Sequence, residues 1–441
     1  MLWPLPIGGG GHRFSFHDRF SHPEHNAMLR ILINRLPLFA VLVGMFLQHS
    51  VHAATPPGAD SLKPLNLEVS WLAQAVLDRS RDKIRYITND EELVYVQSTA
   101  GTVTVFNAET GRRMWVRQVG RNDEYSMQAV SNSDMLIIVV GPVAWGLDKF
   151  TGEDRFQFRL KHLPTGSPAM DEAAVYFPLG DGGIYGYALQ TLTHLERYNT
   201  LPPGVAKPHL WRFVSNERVV QPLIAIDNVV AFTSKSNYMH SVSPAGISYY
   251  QEFLRSPASA PMALDVHSDR RSILLATEDC NLFSFDLTRG TLAWNVPLER
   301  RVSRQPLVVG RRVFVVTEGS GVTCVSTESG NYVPVENGEG GSKRWHVLQI
   351  ESLVGAAGEH VYGIDQNRRI VAIRRDNGMI SGRTPVNGYT LHYQNSVTDR
   401  LYLASEFGEL MCLKPKDTEF AIYHQRPDKE PLAVDVPATG E

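Results

Sequence analysis

Residues 101–120, GTVTVFNAETGRRMWVRQVG, decide how this chain folds. Val103, Val105 and Phe106 make the first third an apolar strand, residues 107–111 form a tight polar turn, and Met114 and Trp115 open a second strand. Asn107 and Thr110 can hydrogen-bond their own backbone within the turn, and Gly111 can take the positive φ that closes it. Four residues past that glycine, Trp115 offers a large apolar face. A lone hairpin cannot bury it, so the unit has to recur.

It recurs along the chain. Asp148, Thr151 and Gly152 repeat the turn, with Phe156 in the place of the tryptophan; Asp286 and Gly290 repeat it with Trp294; VSTESG ends on Gly330 and IRRDNG on Gly378. The turns stand roughly 40–50 residues apart, the period of a propeller blade. The longer gap between Gly152 and Gly290 holds two degenerate units, one around Tyr185 and one over residues 238–246 with Tyr250. A last unit, residues 401–413, lacks the tryptophan strand. In phase with the turns, Pro168, Pro222, Pro261 and Pro306 introduce the innermost strands, where no ladder donor is needed. The expected fold is all-β, an eight-bladed β-propeller of four-stranded antiparallel blades over residues 82–415, with seven blades as the alternative. Trp115, Phe156, Tyr250 and Trp294 would fill the space between blades. The last unit needs an outer strand. Residues 65–77, LNLEVSWLAQAVL, in the 54–81 segment ahead of the first blade, can supply it, although Leu72, Ala75, Val76 and Asp78 also suit an amphipathic helix.

The 441 residues are 43% hydrophobic and 20% charged, a globular composition, and a net charge of −3 argues against a nucleic-acid surface. Residues 28–53 read as a signal peptide: Arg30 and Arg35, an apolar run over 36–47, and a Val51-His52-Ala53 cleavage site. The run is short for a membrane span. Residues 1–27, with four histidines, read as an upstream extension ahead of a start at Met28, and residues 416–441 as a C-terminal tail. The expectation is a periplasmic or otherwise exported protein, soluble after cleavage, with no membrane span. Cys280, Cys324 and Cys412 lie far apart in or beside apolar strands and read as buried small hydrophobes.

Asn107 to Trp115 and Asp286 to Trp294 share the pattern Asp/Asn-x-x-Thr-Gly-x-x-x-Trp, which resembles the PQQ-type, quinoprotein-like β-propeller repeat; the second copy has Arg289 in place of the threonine. The resemblance implies the fold and points to two functional branches. Quinoprotein dehydrogenases bind pyrroloquinoline quinone (PQQ) and calcium in the funnel, usually beside a disulfide of adjacent cysteines, and no two cysteines adjoin here. The other branch is similar to the non-catalytic propeller of the outer-membrane β-barrel assembly machinery, an interaction scaffold. Its lipid-acceptor cysteine is missing from this sequence.

No Ser/His/Asp set, phosphate loop or His/Glu metal motif stands out, so no catalytic or metal residues are assigned. His240, His267 and His392 read as rim or turn residues. Asp181, Asp227, Asp265, Asp279 and Asp365 lie near strand ends and could face a funnel calcium, but each reads equally well as a turn residue. Two insertions break the period: residues 196–218, between the third and fourth blades, and residues 336–348, after the sixth. Trp211 with Arg212, and Lys343 and Arg344 with Trp345, pair indoles with cations in the manner of interface hot spots, and are the candidate partner-binding residues. The alternative for each indole is to tuck against its own blade. Arg300, Arg301 and Arg304 read as a solvated edge. The expected function is an exported, monomeric, non-catalytic protein-binding scaffold of the cell envelope that needs no cofactor. The alternatives are a PQQ- and calcium-dependent oxidoreductase and a carbohydrate- or peptide-binding propeller.

Overall fold

The computed structural model describes residues 54–424, apart from 123, 199–206, 216, 227, 267–270, 337–341 and 417. Residues 1–27 and 28–53, read above as an extension and a signal peptide, Asp227, His267 and the chain beyond 424 lie outside the described residues, as do parts of both insertions.

Eight four-stranded antiparallel sheets succeed one another along the chain. Blade 1 is Ile84–Asn89, Leu93–Ser98, Thr102–Asn107 and Arg113–Gln118, and blade 2 is Val130–Ser131, Met135–Val140, Val143–Asp148 and Asp154–Arg159. Blade 3 ends on Trp211–Val214, blade 4 on Ser248–Phe253, blade 5 on Leu292–Pro297, blade 6 on His346–Val347 and blade 7 on Ile380–Pro385. Second strands such as Met135–Val140 and Val229–Thr233 are buried along their whole length. Both faces of each small sheet are covered by neighbours, which is why these strands are apolar runs without alternation.

Blade 8 closes the ring. Leu391–His392, Leu401–Ala404 and Glu409–Pro415 come from the end of the chain, and the fourth strand is Leu67–Gln74, paired antiparallel with Glu409–Pro415. Of the two readings of residues 65–77, the strand holds. The helix loses because Leu67, Trp71 and Ala75 fill the gaps beside blades 7 and 1. Ahead of it, residues 59–65 form two short helical turns wedged between blades 7 and 8, where Tyr362 Oη donates to Leu65 O and Gly382 packs on Pro64.

One device joins most neighbours. In blade 1, Asn107 Oδ1 accepts from the backbone of Glu109 and Thr110 and from the Thr110 hydroxyl, and Gly111 closes the turn at φ 67°. The Trp71 indole of blade 8 lies flat on Gly111 and donates to Ala108 O at 2.9 Å. Trp115 covers Gly152 and donates to Lys149 O, Trp294 covers Gly330 and donates to Thr327 O, and Tyr250 covers Gly290 and donates to Leu287 O. A side chain at any of these glycines would collide with a ring, so the absence of Cβ matters as much as the positive φ. A β-bulge between the third and outer strands, as at Val105/Phe106 and Ser284/Phe285, aims the aromatic at the next blade. Blade 3 has no such turn. Helix Leu189–Arg197 stands in its place, and Phe156 packs into a cluster with Leu189 and Leu192.

Candidate partner-binding surface

Both insertions fall inside blades, between the third and outer strands, and each carries the delayed docking tryptophan of its blade. Trp211 is 8% exposed, covers Gly246 and donates to Pro244 O of blade 4. Trp345 is wholly buried; it takes the place that Pro334 holds four residues past Gly330, packs on Gly378 and donates to Arg374 O. Neither indole is presented to a partner. The hot-spot reading of these two residues is corrected, because burial against the next blade leaves only their cations outside.

Those cations are engaged at the surface. Arg212 pairs with Asp181 at 2.9 Å and lies beside the Tyr185 ring. Lys343 and Arg344 are exposed on a hairpin, Pro334–Glu336 with Ser342–Arg344, and Arg344 stacks on Tyr332. Arg301 bridges Glu278 and Glu318. Three of the described aspartates serve their own turns: Asp181 accepts from Tyr185, Asp279 from Thr277, and Asp365 from Asn367 and Arg369, while Asp265 is buried at the end of a blade 5 strand. Among the described residues, no group of three or more His, Cys, Asp or Glu could hold a metal ion.

Two other residue types depart from the expectations. His240 lies buried in blade 4, stacked on Phe232 at 4.8 Å, instead of at a rim, and burial pushes its pKa down to about 4. Cys324 and Cys412 are buried as expected, but Cys280 is half-exposed in a turn at φ 64°.

The exposed apolar surface gathers where no motif pointed. Val214 on the outer strand of blade 3, Tyr249 and Phe253 on that of blade 4, and Leu210 and Ile247 just ahead of those two strands are 47–67% exposed. Alternation explains the placement: Tyr250 and Glu252 turn inward, so Tyr249, Gln251 and Phe253 turn outward. The sequence SYYQEF holds this signal once Tyr250 is known to dock. Each of these strands is the last of its sheet and has one unpaired edge.

Beside the innermost strands of blades 1 and 8, a cavity of about 460 Å³ is bounded by Arg85, Arg304, Gln305, His392 and Gln394. Arg85 lies 3.7 Å from the centre of the Tyr125 ring, and Gln394 Nε2 donates to Gln305 O from blade 8 to the start of blade 6. His392 is depressed by burial, with Arg304 and Arg368 adding to the effect and its hydrogen bond to Tyr389 O opposing it. Among the described residues, no carboxylate lines this cavity.

Residues 210–390 match the family model described as outer membrane protein assembly factor BamB. No curated protein sequence matches the chain. Among solved structures, BamB from Moraxella catarrhalis is similar at a TM-score of 0.59 and 15% identity, covering 80% of this chain and 98% of that one. The computationally designed protein Ika8 is similar at a TM-score of 0.56 and 13% identity, covering 77% and 98%. A designed ring and a natural one match almost equally well, so these likenesses speak to architecture alone. With the repeat and the eight closed blades together, the chain is an eight-bladed β-propeller whose repeat resembles the PQQ type, and its residues 210–390 match the BamB family model.

Proposed function

We propose that this protein is an exported, non-catalytic propeller that binds protein partners in the cell envelope, with the outer strands of blades 3 and 4 as its docking face. The observation that carries the reading is the set of exposed apolar side chains, Leu210, Val214, Ile247, Tyr249 and Phe253, on or just ahead of two successive strands with unpaired edges. An extended segment of a partner can pair with such an edge through its backbone, while the outward side chains select its sequence. Tyr and Phe supply apolar contact at low entropic cost. The family match over residues 210–390 takes in the same two strands and supports an assembly role.

The test is a Tyr249→Ser/Phe253→Ser variant of the full chain. Both side chains face outward, so the variant should keep its melting temperature while losing a partner captured from envelope extract by the wild type. Capture of the same partners would overturn the choice of face. Titration with PQQ and calcium separates this role from quinoprotein chemistry. No saturable change in absorbance or melting is expected, and a clear one would overturn the scaffold role.

A further inference from the structure

The second residue of each turn lies in the cleft against the preceding blade. Its carbonyl receives the docking aromatic at Ala108, Lys149, Leu287 and Thr327. In blade 2 this residue is a cation whose charge is met inside the ring. The Lys149 side chain is 4% exposed and reaches back to the first turn of blade 1, where it pairs with Asp90 at 3.1 Å and Glu92 at 2.7 Å. Burial alone would lower its pKa, but the two carboxylates outweigh burial and raise it.

Arg375 holds the equivalent position in blade 7, and the equivalent turn of blade 6 offers it no acid. It offers Gly310 and Arg311, and Arg312, the first residue of the next strand, donates through Nη1 to Arg375 O, while the Trp345 indole donates one residue earlier, to Arg374 O. Among the described residues, neither Arg312 nor Arg375 has a carboxylate within ion-pair range, and the Arg375 guanidinium makes no hydrogen bond. The nearby acids are held by other cations: Glu359 and Asp376 by Arg374, and Glu328 by Arg311. An open cavity of about 320 Å³ lies between the two blades; Arg311, Arg312 and Arg375 line it, together with Glu359 and Asp376, the two acids that Arg374 holds. Burial first, and Arg312 second, lower the Arg375 pKa against the pull of Glu359.

We propose that this cleft is an oxyanion-binding site in which Arg312 and Arg375 together take a carboxylate or phosphate group, standing where Asp90 and Glu92 stand beside Lys149. Partly buried cations without counter-ions are costly, and guanidinium forks match the oxygens of carboxylate and phosphate in pairs. The ring has one built example of this cleft with its anions covalently supplied and one with the place left open.

The experiment titrates the full chain with sodium phosphate and, separately, sodium succinate against sodium chloride at matched ionic strength, followed by calorimetry and thermal melting. Saturable binding of at least one anion is expected, and comparing the two distinguishes phosphate from carboxylate as its source. Arg375→Gln and Arg312→Gln should each weaken binding by about tenfold or more. Arg301→Gln, at a different ion pair, should leave it unchanged. Arg312→Glu places a carboxylate in the cleft, and should raise the melting temperature in chloride while removing the anion response. No saturable binding to the wild type, or an undiminished response in Arg375→Gln or Arg312→Glu, would overturn the site.

Discussion

Gly111 and Gly310 both sit at positive φ, 67° and 58°, yet they answer to different constraints. A Cβ on Gly111 would lie 2.5 Å from the Trp71 ring, whereas one on Gly310 meets nothing within 4 Å. Gly310→Ala should cost only the backbone strain, about 1 kcal/mol. Gly111→Ala adds a collision inside a packed joint and should cost about 3 kcal/mol, read from urea midpoints. His240 supplies a second residue-level prediction. Its folded pKa of about 4 lies below the ordinary histidine value of 6.5, so the unfolded chain takes up the proton first as pH falls. Stability from this group is present above pH 6.5 and is lost as pH falls toward 4, by about 3 kcal/mol in all. His240→Phe should flatten that part of the stability profile. An unchanged acid slope would show that other groups set it.

At the scale of the element, the outer strand serves as a joint as well as an edge. Leu67–Gln74 completes blade 8 and delivers Trp71 to blade 1, so one strand pairs with the end of the chain and locks its beginning. Trp71→Ala should remove about 3–5 kcal/mol, measured by denaturant unfolding, because an indole packed in a closed joint leaves a cavity and strands the Ala108 carbonyl. The two insertions show why motif spacing misled at Trp211 and Trp345. A helix or hairpin inserted before the outer strand delays the tryptophan in sequence without moving it in space, so its distance from the turn glycine ceased to mark its role. The hairpin carries exposed Lys343 and Arg344, while its Val335 packs against the core shared by blades 6 and 7. Deleting residues 335–343 should leave the melting temperature within a few degrees, while a large drop would show that the hairpin supports blade 6.

For the whole molecule, closure is the cooperative event. Removing residues 54–74 would strip blade 8 of its outer strand and expose the edge of Glu409–Pro415 along with the joint beside Gly111. The shortened chain should unfold at lower urea with a broader transition and associate during size-exclusion chromatography, as open sheet edges do. A sharp transition at the wild-type midpoint would show that the ring holds without its clasp. The repeat, the blade count and the turn chemistry were legible in the residues, because 107–111 and its copies are set by local rules: Asx hydrogen bonds, a left-handed glycine and a nearby aromatic. The inward aim of Trp211 was not, since it depends on which ring finds the next blade, whereas the outward aim of Tyr249 and Phe253 follows by alternation from Tyr250. The unmatched pair of Arg312 and Arg375, 63 residues apart in the chain, could not be read either. Sequence by itself determined the repeated blade, through interactions spanning a few residues; the tertiary structure alone decided which surfaces and charges are left unsatisfied, because that depends on what each blade meets when the ring closes.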